Sequence, residues 1–129
     1  MKKFYPLFLL ILTIAPALAD PIDKVATLVR QGNVHELADL FAESVDISIL
    51  GDDNTYSKVQ AELILDKFFS QNKPRAVKMQ HKVNSNPSYR YGVLIMNSER
   101  AAYRITFTLK DAEGKSAIIE FRIETEKVH

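Results

Sequence analysis

Residues 100–126 have the sequence RAAYRITFTLKDAEGKSAIIEFRIETE, in which apolar and polar side chains alternate on both sides of a short polar segment. Alternation with a period of two is typical of β-strands that bury one face. We therefore expect two strands, over residues 100–111 and 115–126. The three residues between them suit a tight turn with Gly114 in the left-handed conformation.

The length of this turn sets which residues face each other across the hairpin. With three turn residues, Arg104 would lie opposite Arg122. Like charges directly opposite are destabilising unless Glu120 and Glu124 on the diagonals offset them. The sequence therefore leaves the register of this hairpin open.

Two further alternating segments precede this hairpin, at residues 75–84 and 89–97. Polar turn sequences separate the four segments, which predicts a meander of antiparallel strands. One face of the last three strands is expected to carry large apolar side chains and to be covered by helices. These side chains are Tyr89, Tyr91, Val93, Ile95, Tyr103, Ile105, Phe107, Leu109, Ile119, Phe121 and Ile123.

The first half of the chain has helix signals instead. Capping residues followed by apolar stripes with helical spacing predict helices over residues 21–31, 34–42 and 57–71. Between the last two helices, alternation at residues 45–49 predicts a short strand, and residues 51–54 have turn composition. Three N-terminal helices packed on a mostly antiparallel sheet place the chain in the α+β class.

Residues 1–19, MKKFYPLFLLILTIAPALA, have the three-part layout of a secretory signal peptide. Two lysines precede an apolar run that ends in small residues. This run is shorter than the ~20 residues needed to span a bilayer, so we expect no stable membrane anchor. We expect cleavage before Asp20, export to the periplasm or the extracellular medium, and a single domain over residues 20–129.

The composition narrows the classes of function. The chain has 17 basic and 16 acidic residues, and without residues 1–19 it has 15 basic and 16 acidic ones. A nucleic-acid binder needs a concentrated basic face, so we expect no nucleic-acid partner. Cysteine is absent, which excludes thiolate metal sites, disulfides and cysteine nucleophiles.

The order of these elements resembles the nuclear transport factor 2-like superfamily, whose members fold as a cystatin-like cone. The resemblance is carried by GNVHELADLFAESVDISI (residues 32–49) and YSKVQAELILDKFF (residues 56–69). More narrowly, DPIDKVATLVRQGNVHELADLFA (20–42), QNKPRAVKMQHKVNSNPSYRYGV (71–93) and FRIETEKV (121–128) resemble a family of small exported bacterial proteins of unknown function. The superfamily resemblance implies a bent sheet wrapped around the helices, a fold that hosts enzymes, binders and structural modules alike.

The resemblance also lets one enzymatic branch be tested. Ketosteroid-isomerase-like members of the superfamily have an aspartate general base in the first strand, a fixed distance beyond the motif that Phe41-Ala42 matches. The corresponding position here is Ile49, and no tyrosine lies in the first two helices to serve as oxyanion donor. These differences weaken the prediction of an activity like that of the ketosteroid isomerases.

His81 is the one titratable candidate for a site. Strict alternation would place it on the apolar side of its strand, where a partly buried imidazole can act as an acid or a base. The alternative is a hydrogen-bonded histidine in the core or at its rim. The helices and strands would together line a wide apolar mouth for a small ligand, unless the same side chains simply fill the core. The residues of this expected pocket are Phe41, Phe69, His81, Tyr91, Tyr103, Phe107 and Phe121.

No motif indicates a metal or a cofactor, and we expect neither. Asp52-Asp53-Asn54 lacks the other residues of a calcium loop and is better explained as an acidic turn. His35 and His129 are expected at the surface. No metal-ligand spacing, glycine-rich phosphate loop or nucleophile motif is present.

Two surface features suggest binding. Lys73, Arg75, Lys78 and Lys82 form a local basic cluster, which is either a solvated strand face or a site for an anionic ligand. Leu94, Met96 and Ile118 interrupt the polar face of the sheet and predict either a homodimer contact through the sheet or a covering loop. We call these three residues the candidate dimer patch.

These observations favour an exported binding or protein-interaction module without enzymatic activity, whose partner is a small apolar ligand or a protein. The fold pattern is complete, but no catalytic constellation accompanies it. The alternative is a small-molecule lyase or isomerase with His81 as base and a tyrosine or an arginine as its partner.

Overall fold

The computed structural model describes residues 20–86, 88–112 and 114–127. The predicted signal peptide, its cleavage point and His129 lie outside the described residues. The elements in chain order are α1 (Pro21–Gln31), α2 (Val34–Ala38), β1 (Phe41–Ile49), β2 (Asp52–Ser57), α3 (Lys58–Gln71), β3 (Ala76–Asn86), β4 (Tyr89–Asn97), β5 (Ala102–Ala112) and β6 (Lys115–Thr125).

The six strands form one sheet in the order β2-β1-β6-β5-β4-β3. All neighbours are antiparallel except β1 and β6, which are parallel. Helix α2 contacts α1 and α3, which in turn contact the strands, and the buried residues of all three helices join one core on one face of the sheet, the inner face. The predicted α+β fold class is therefore confirmed.

The helix starts follow from local chemistry. The Asp20 carboxylate accepts a hydrogen bond from the Ile22 amide at 2.9 Å, and Asn33 accepts one from the Glu36 amide at 3.1 Å. Ser57 forms a capping box with Gln60 at the start of α3. Each cap satisfies an amide that has no partner within its helix.

The segment between α2 and α3 differs from the expectation. The second helix ends at Ala38, because β1 begins at Phe41 and pairs there with Ile118 of β6. Residues 52–54, which were expected in a turn, belong instead to the strand β2, whose first residue Asp52 pairs with Ile49. The two residues between them, Leu50 and Gly51, both have positive φ, 52° and 94°. Such a two-residue turn joins antiparallel strands directly, whatever the β-propensity of the residues that follow.

The register of the β5–β6 hairpin also differs. Ala112 lies opposite Lys115, which leaves two turn residues instead of three, and Gly114 has the expected positive φ of 79°. An irregularity at Thr108 then shifts the register again, so that Arg104 pairs with Glu124. The register that a three-residue turn would give is therefore not the one found, and Arg104 faces a residue of opposite charge.

On β4 the predicted face was wrong. Leu94 and Met96 are 0% exposed on the inner face, whereas Tyr89 is 52% and Tyr91 39% exposed on the opposite, outer face. Gly92 explains this choice: a Cβ there would lie 2.7 Å from Phe107 Cζ and 2.9 Å from Ile22 Cγ2. Only glycine allows α1 and β5 to approach β4 so closely.

Bulges reverse two further assignments. The register shifts between Met79 and His81, so Met79 faces the core while His81 lies exposed on the outer face. A shift between Thr108 and Leu109 of β5 directs Ile118 into the core, where it is 0% exposed. A one-residue slip moves every later side chain of a strand to the other face.

Candidate functional site

The interior of the cone is filled by the side chains that were candidates for a pocket. Phe107 and Phe121 are 0% exposed and stack with their ring centroids 6.5 Å apart. Phe41 contacts Phe121 at 6.1 Å, and Phe69 packs edge to face on Phe68 at 5.4 Å. These four side chains therefore form core, which is the alternative that the sequence left open.

Tyr103 is also buried, but its hydroxyl serves a different purpose. Its ring packs edge to face on Phe68 with centroids 5.2 Å apart. Its hydroxyl donates a hydrogen bond to Asn72 Oδ1 at 2.8 Å, just beyond the end of α3. Tyr103 thus connects the core to the polar surface at that end of the molecule.

The two remaining pocket candidates lie together on the outer face. His81 pairs with Val93, and the next pair on the same face is Val83 with Tyr91. Strict alternation predicted His81 inside, and the bulge before it places it outside. The structure therefore does not support His81 as an inward-facing base. The alternative function, a lyase or an isomerase, depended on this residue.

An apolar stripe runs along β3 and β4 on this outer face. Its most exposed members are Tyr89, Tyr91 and Val83, at 52%, 39% and 38% exposure. Val93 and Ile95 continue the same side of the strand toward the end of β4, where Val93 is only 6% exposed. The sequence placed these β4 residues in the core, and Gly92 was the signal that could have shown the correct face.

Charges on the outer face are segregated. The outer positions of β3, β4 and β5 carry the cations Lys78, Arg104 and Lys110. The single acidic residue of these three strands, Asp111, points inward toward Ser116. The outer positions of β6, β1 and β2 carry Glu120, Glu124, Asp46 and Asp53, with Arg122 among them. We call the two parts the basic half and the acidic half.

The candidate dimer patch does not exist as a surface. Leu94, Met96 and Ile118 are each 0% exposed and belong to the core under the helices. The sequence could not distinguish them from Tyr91, Val93 and Ile95, because both faces of β4 are apolar and a phase error of one residue exchanges them.

At the end of the sheet where β3 meets β4, polar groups form a closed network on the inner side. Lys82 Nζ lies 2.9 Å from an Asp20 oxygen and 3.0 Å from Asp23. Arg90 donates hydrogen bonds to Asp111 at 3.2 Å and to Ser116 at 2.9 Å. Both cations are thus matched by carboxylates, as expected of a structural network.

This network shifts two pKa values. Partial burial tends to raise the pKa of the Asp20 carboxyl, but hydrogen bonds from Lys82 and from the Ile22 amide outweigh it and hold that pKa below its ordinary value. Hydrogen bonds to Asp20 and Asp23 raise the pKa of Lys82. Both groups are therefore held in their charged forms.

The remaining candidate residues are the acidic segment at Asp52 and the histidine His35. Within residues 20–86, 88–112 and 114–127, no group of three or more histidine or carboxylate side chains could hold a metal ion. Asp52 accepts a hydrogen bond from Asn54 at 3.2 Å, and both belong to β2 instead of a turn. His35 is exposed, as expected, and its hydrogen bond to Glu62 at 2.9 Å raises its pKa.

Two further findings bear on the class of protein. Ile49, at the position of the isomerase base, is an apolar residue of β1 that packs against the core. In the part of the chain that the structure describes, no helix is both long and apolar enough to cross a membrane.

A sheet of this topology with helices on one face is the nuclear transport factor 2-like fold. It is similar to such a protein from Cytophaga hutchinsonii, with a TM-score of 0.59 and 13% identity over 81% of this chain and 91% of that chain. At this identity the likeness shows the fold alone. No curated protein matches.

The family is more specific. The family described as Domain of unknown function (DUF4783) matches residues 22–124, and the chain belongs to it. A member from Bacteroides uniformis is similar with a TM-score of 0.78 and 21% identity, covering 82% of this chain and 97% of that chain. A member from Bacteroides ovatus has a TM-score of 0.76 and 19% identity, covering 81% of this chain and 94% of that chain.

Proposed function

We propose that this chain is an exported, non-enzymatic interaction module that pairs with a second copy of itself through the outer face of the sheet. The observation that carries the proposal is the segregation of that face into a basic half with an apolar stripe and an acidic half. The filled interior of the cone supports it as well, because it leaves the outer surface for binding.

The two halves are complementary to each other. A two-fold axis parallel to the strands, between β5 and β6, lays the basic half of one copy over the acidic half of the other. Lys78 of β3 then lies over β2 of the partner, which carries Asp53, and Lys110 of β5 lies over β6 of the partner, which carries Glu120. Symmetric self-complementarity of this kind is the usual arrangement of homodimers, and matched charges fix the orientation of the two copies.

The apolar stripe supplies the other part of the binding energy. Tyr89, Tyr91 and Val83 expose large apolar surfaces next to one another. Aromatic residues are enriched at the centres of protein interfaces, where burial of their rings contributes most. Tyrosine hydroxyls can also donate hydrogen bonds to the carboxylates of the facing half.

Sedimentation velocity over a wide range of protein concentration tests the pairing. We expect a dimer that Tyr91→Glu weakens roughly tenfold or more, because a carboxylate would be desolvated opposite other carboxylates. Raising the ionic strength should also weaken the dimer. Leu63→Glu, at a residue of α3 that is 67% exposed, is the matched control and should leave the dimer intact.

Two results would overturn the pairing. One is a wild-type protein that stays monomeric at the highest concentration. The other is an equal effect of Leu63→Glu and Tyr91→Glu, which would mean that any added charge disperses the protein irrespective of the face.

Export is proposed from the signal-like layout of residues 1–19. Mass spectrometry of protein from the periplasmic or extracellular fraction should give Asp20 as the first residue. Intact protein starting at Met1 and confined to the cytoplasm would contradict export without affecting the pairing.

A further inference from the structure

A groove of about 480 Å³ lies at the end of the molecule where α3 stops and β4 turns into β5. This end is opposite the one that holds the closed network of Lys82 and Arg90, since β4 runs from one to the other. Its volume lies within the usual range of small-molecule sites. The groove is lined by Ser70, Gln71, Asn72, Lys73, Arg75, Ser98, Glu99 and Arg100.

One wall of the groove is fixed by the end of α3. The backbone amide and the side-chain Nδ2 of Asn72 both donate hydrogen bonds to the Phe68 carbonyl, at 2.9 and 3.0 Å. The Tyr103 hydroxyl holds the Asn72 Oδ1 from the core side. The helix cannot continue because Pro74 follows, and Lys73 is therefore presented at the rim.

The opposite wall is the turn that joins β4 and β5. Ser98 Oγ accepts hydrogen bonds from the amides of Arg100 and Ala101, both at 3.2 Å, and donates one to the Ala101 carbonyl at 3.0 Å. The Arg75 amide bonds the Asn97 carbonyl at 2.8 Å, which joins the two walls. The groove is therefore shaped by backbone that its own hydrogen bonds already hold in place.

The charges in the groove are unbalanced. Lys73, Arg75 and Arg100 face a single carboxylate, Glu99. Arg75 lies 3.4 Å from Glu99, but their side chains are 62% and 82% exposed, and such surface pairs contribute little. Over the described residues, neither Lys73 nor Arg100 has a carboxylate within salt-bridge distance.

The polar uncharged groups of the groove are largely engaged within its walls. Asn72 and Ser98 make the hydrogen bonds described above, and Ser70 Oγ donates to the Lys67 carbonyl at 3.0 Å. The donors left for a ligand are therefore mainly the two guanidinium groups and the ammonium group. Arginine is suited to bidentate contacts with carboxylate and phosphate groups.

We propose that this groove binds a small organic or inorganic polyanion carrying two or more carboxylate or phosphate groups. Arg75 and Arg100 grip the anion from the two walls, and Lys73 adds a point charge at the rim. Tyr103 is a positioning residue, since it acts through Asn72. The site goes beyond the proposed pairing, because none of its lining residues belongs to the apolar stripe or to the acidic half.

The test is a titration of the full mature chain with citrate and with pyrophosphate, followed by heteronuclear NMR and calorimetry at constant ionic strength. We expect saturable shifts at residues 70–75 and 98–100 with at least one of the two anions, and the preferred anion tells carboxylate from phosphate recognition. Arg100→Gln and Arg75→Gln should each weaken binding roughly tenfold or more, as expected for charge-assisted hydrogen bonds.

Three variants make the outcome specific. Glu99→Gln should tighten binding, because it removes the carboxylate that competes for Arg75, and a misfolded variant would not gain affinity. Tyr103→Phe should weaken binding and alter the Asn72 side-chain signal. Lys115→Gln, an exposed lysine at the opposite end, removes one charge and should leave binding unchanged.

Several results would overturn the proposal. They are no saturable binding of either anion at millimolar concentration, shifts confined to other surfaces, or an equal loss in Lys115→Gln and Arg100→Gln, which would indicate a general charge effect. None of these results concerns the outer face, so the pairing of two copies is tested separately by sedimentation.

Discussion

Both faces of β4 carry large apolar residues, but those on one face are buried and the tyrosines on the other are exposed. Leu94 and Met96 are 0% exposed under the helices, whereas Tyr89 and Tyr91, on the other side of the same strand, are 52% and 39% exposed. Local sequence favours neither face. The difference shows that burial was decided by where α1 could approach the sheet, and Gly92 is the one position on β4 that lets it come close.

The largest effect is expected at the centre of the inner face. Phe107→Ala should lower the free energy of unfolding by ~3–5 kcal/mol, because it leaves a cavity in a packed core. Urea unfolding of the variant and the wild type measures this. A loss well below that of other core truncations would mean that the interior has room for a ligand, and the contrast between the faces would weaken.

Gly92→Ala should cost ~1–3 kcal/mol through overpacking, because the new methyl group meets Phe107 and Ile22 at less than 3.0 Å. Unfolding of Gly92→Ala, Phe107→Leu and the double variant measures the coupling. The double variant should lose less than the sum of the two single losses, since the smaller side chain makes room. Strict additivity would show that the two residues do not limit the approach of α1.

At the rim between the faces, Asp20→Ala should cost about 1 kcal/mol, because α1 loses its N-cap. Asp20→Asn keeps the cap and removes the charge. The folded pKa of Asp20 is lowered, so its carboxylate stabilises the native state above the unfolded pKa, and this contribution is lost as the pH falls through the folded pKa. In urea unfolding from neutral to acidic pH, the free energy of unfolding should therefore fall less for Asp20→Asn than for the wild type. An unchanged acid profile would argue against the ion pair with Lys82.

The smallest effect on stability is expected on the outer face. Tyr91→Thr should change the free energy of unfolding by no more than about 0.5 kcal/mol, because an exposed ring loses little on removal and threonine retains strand propensity. Leu94→Ala on the same strand should cost ~2–5 kcal/mol. Comparable losses for the two variants would mean that the outer face is covered within the monomer.

Much of the fold was accessible from the sequence, and the reasons are local. The helix starts at Asp20, Asn33 and Ser57 were predicted because capping depends on residues within one turn of each other. The left-handed Gly114 followed from the needs of a tight turn. The location of the four C-terminal strands followed from their alternation.

The site was less accessible, because its residues depend on pairing over long distances. The bulge before His81 and the irregularity at Thr108 have no marker in the sequence, and each moves side chains to the opposite face. Of the predicted basic cluster, Lys73 and Arg75 line the groove, whereas Lys78 lies on the outer face and Lys82 pairs with Asp20 and Asp23. Arg100 and the role of the Tyr103 hydroxyl became visible only with the turn and the helix end in place.

The sequence by itself determined the elements of this protein: where helices start, where strands alternate and where a glycine permits a turn. The tertiary structure alone decided which face of each strand is buried, that β1 lies parallel to β6, and that the cations are matched by carboxylates at one end of the sheet and outnumber them in the groove at the other. The physical reason is that capping and alternation act over a few residues. Burial and charge pairing depend on neighbours that are distant in the chain, and a shift of one residue in strand register changes which neighbours these are.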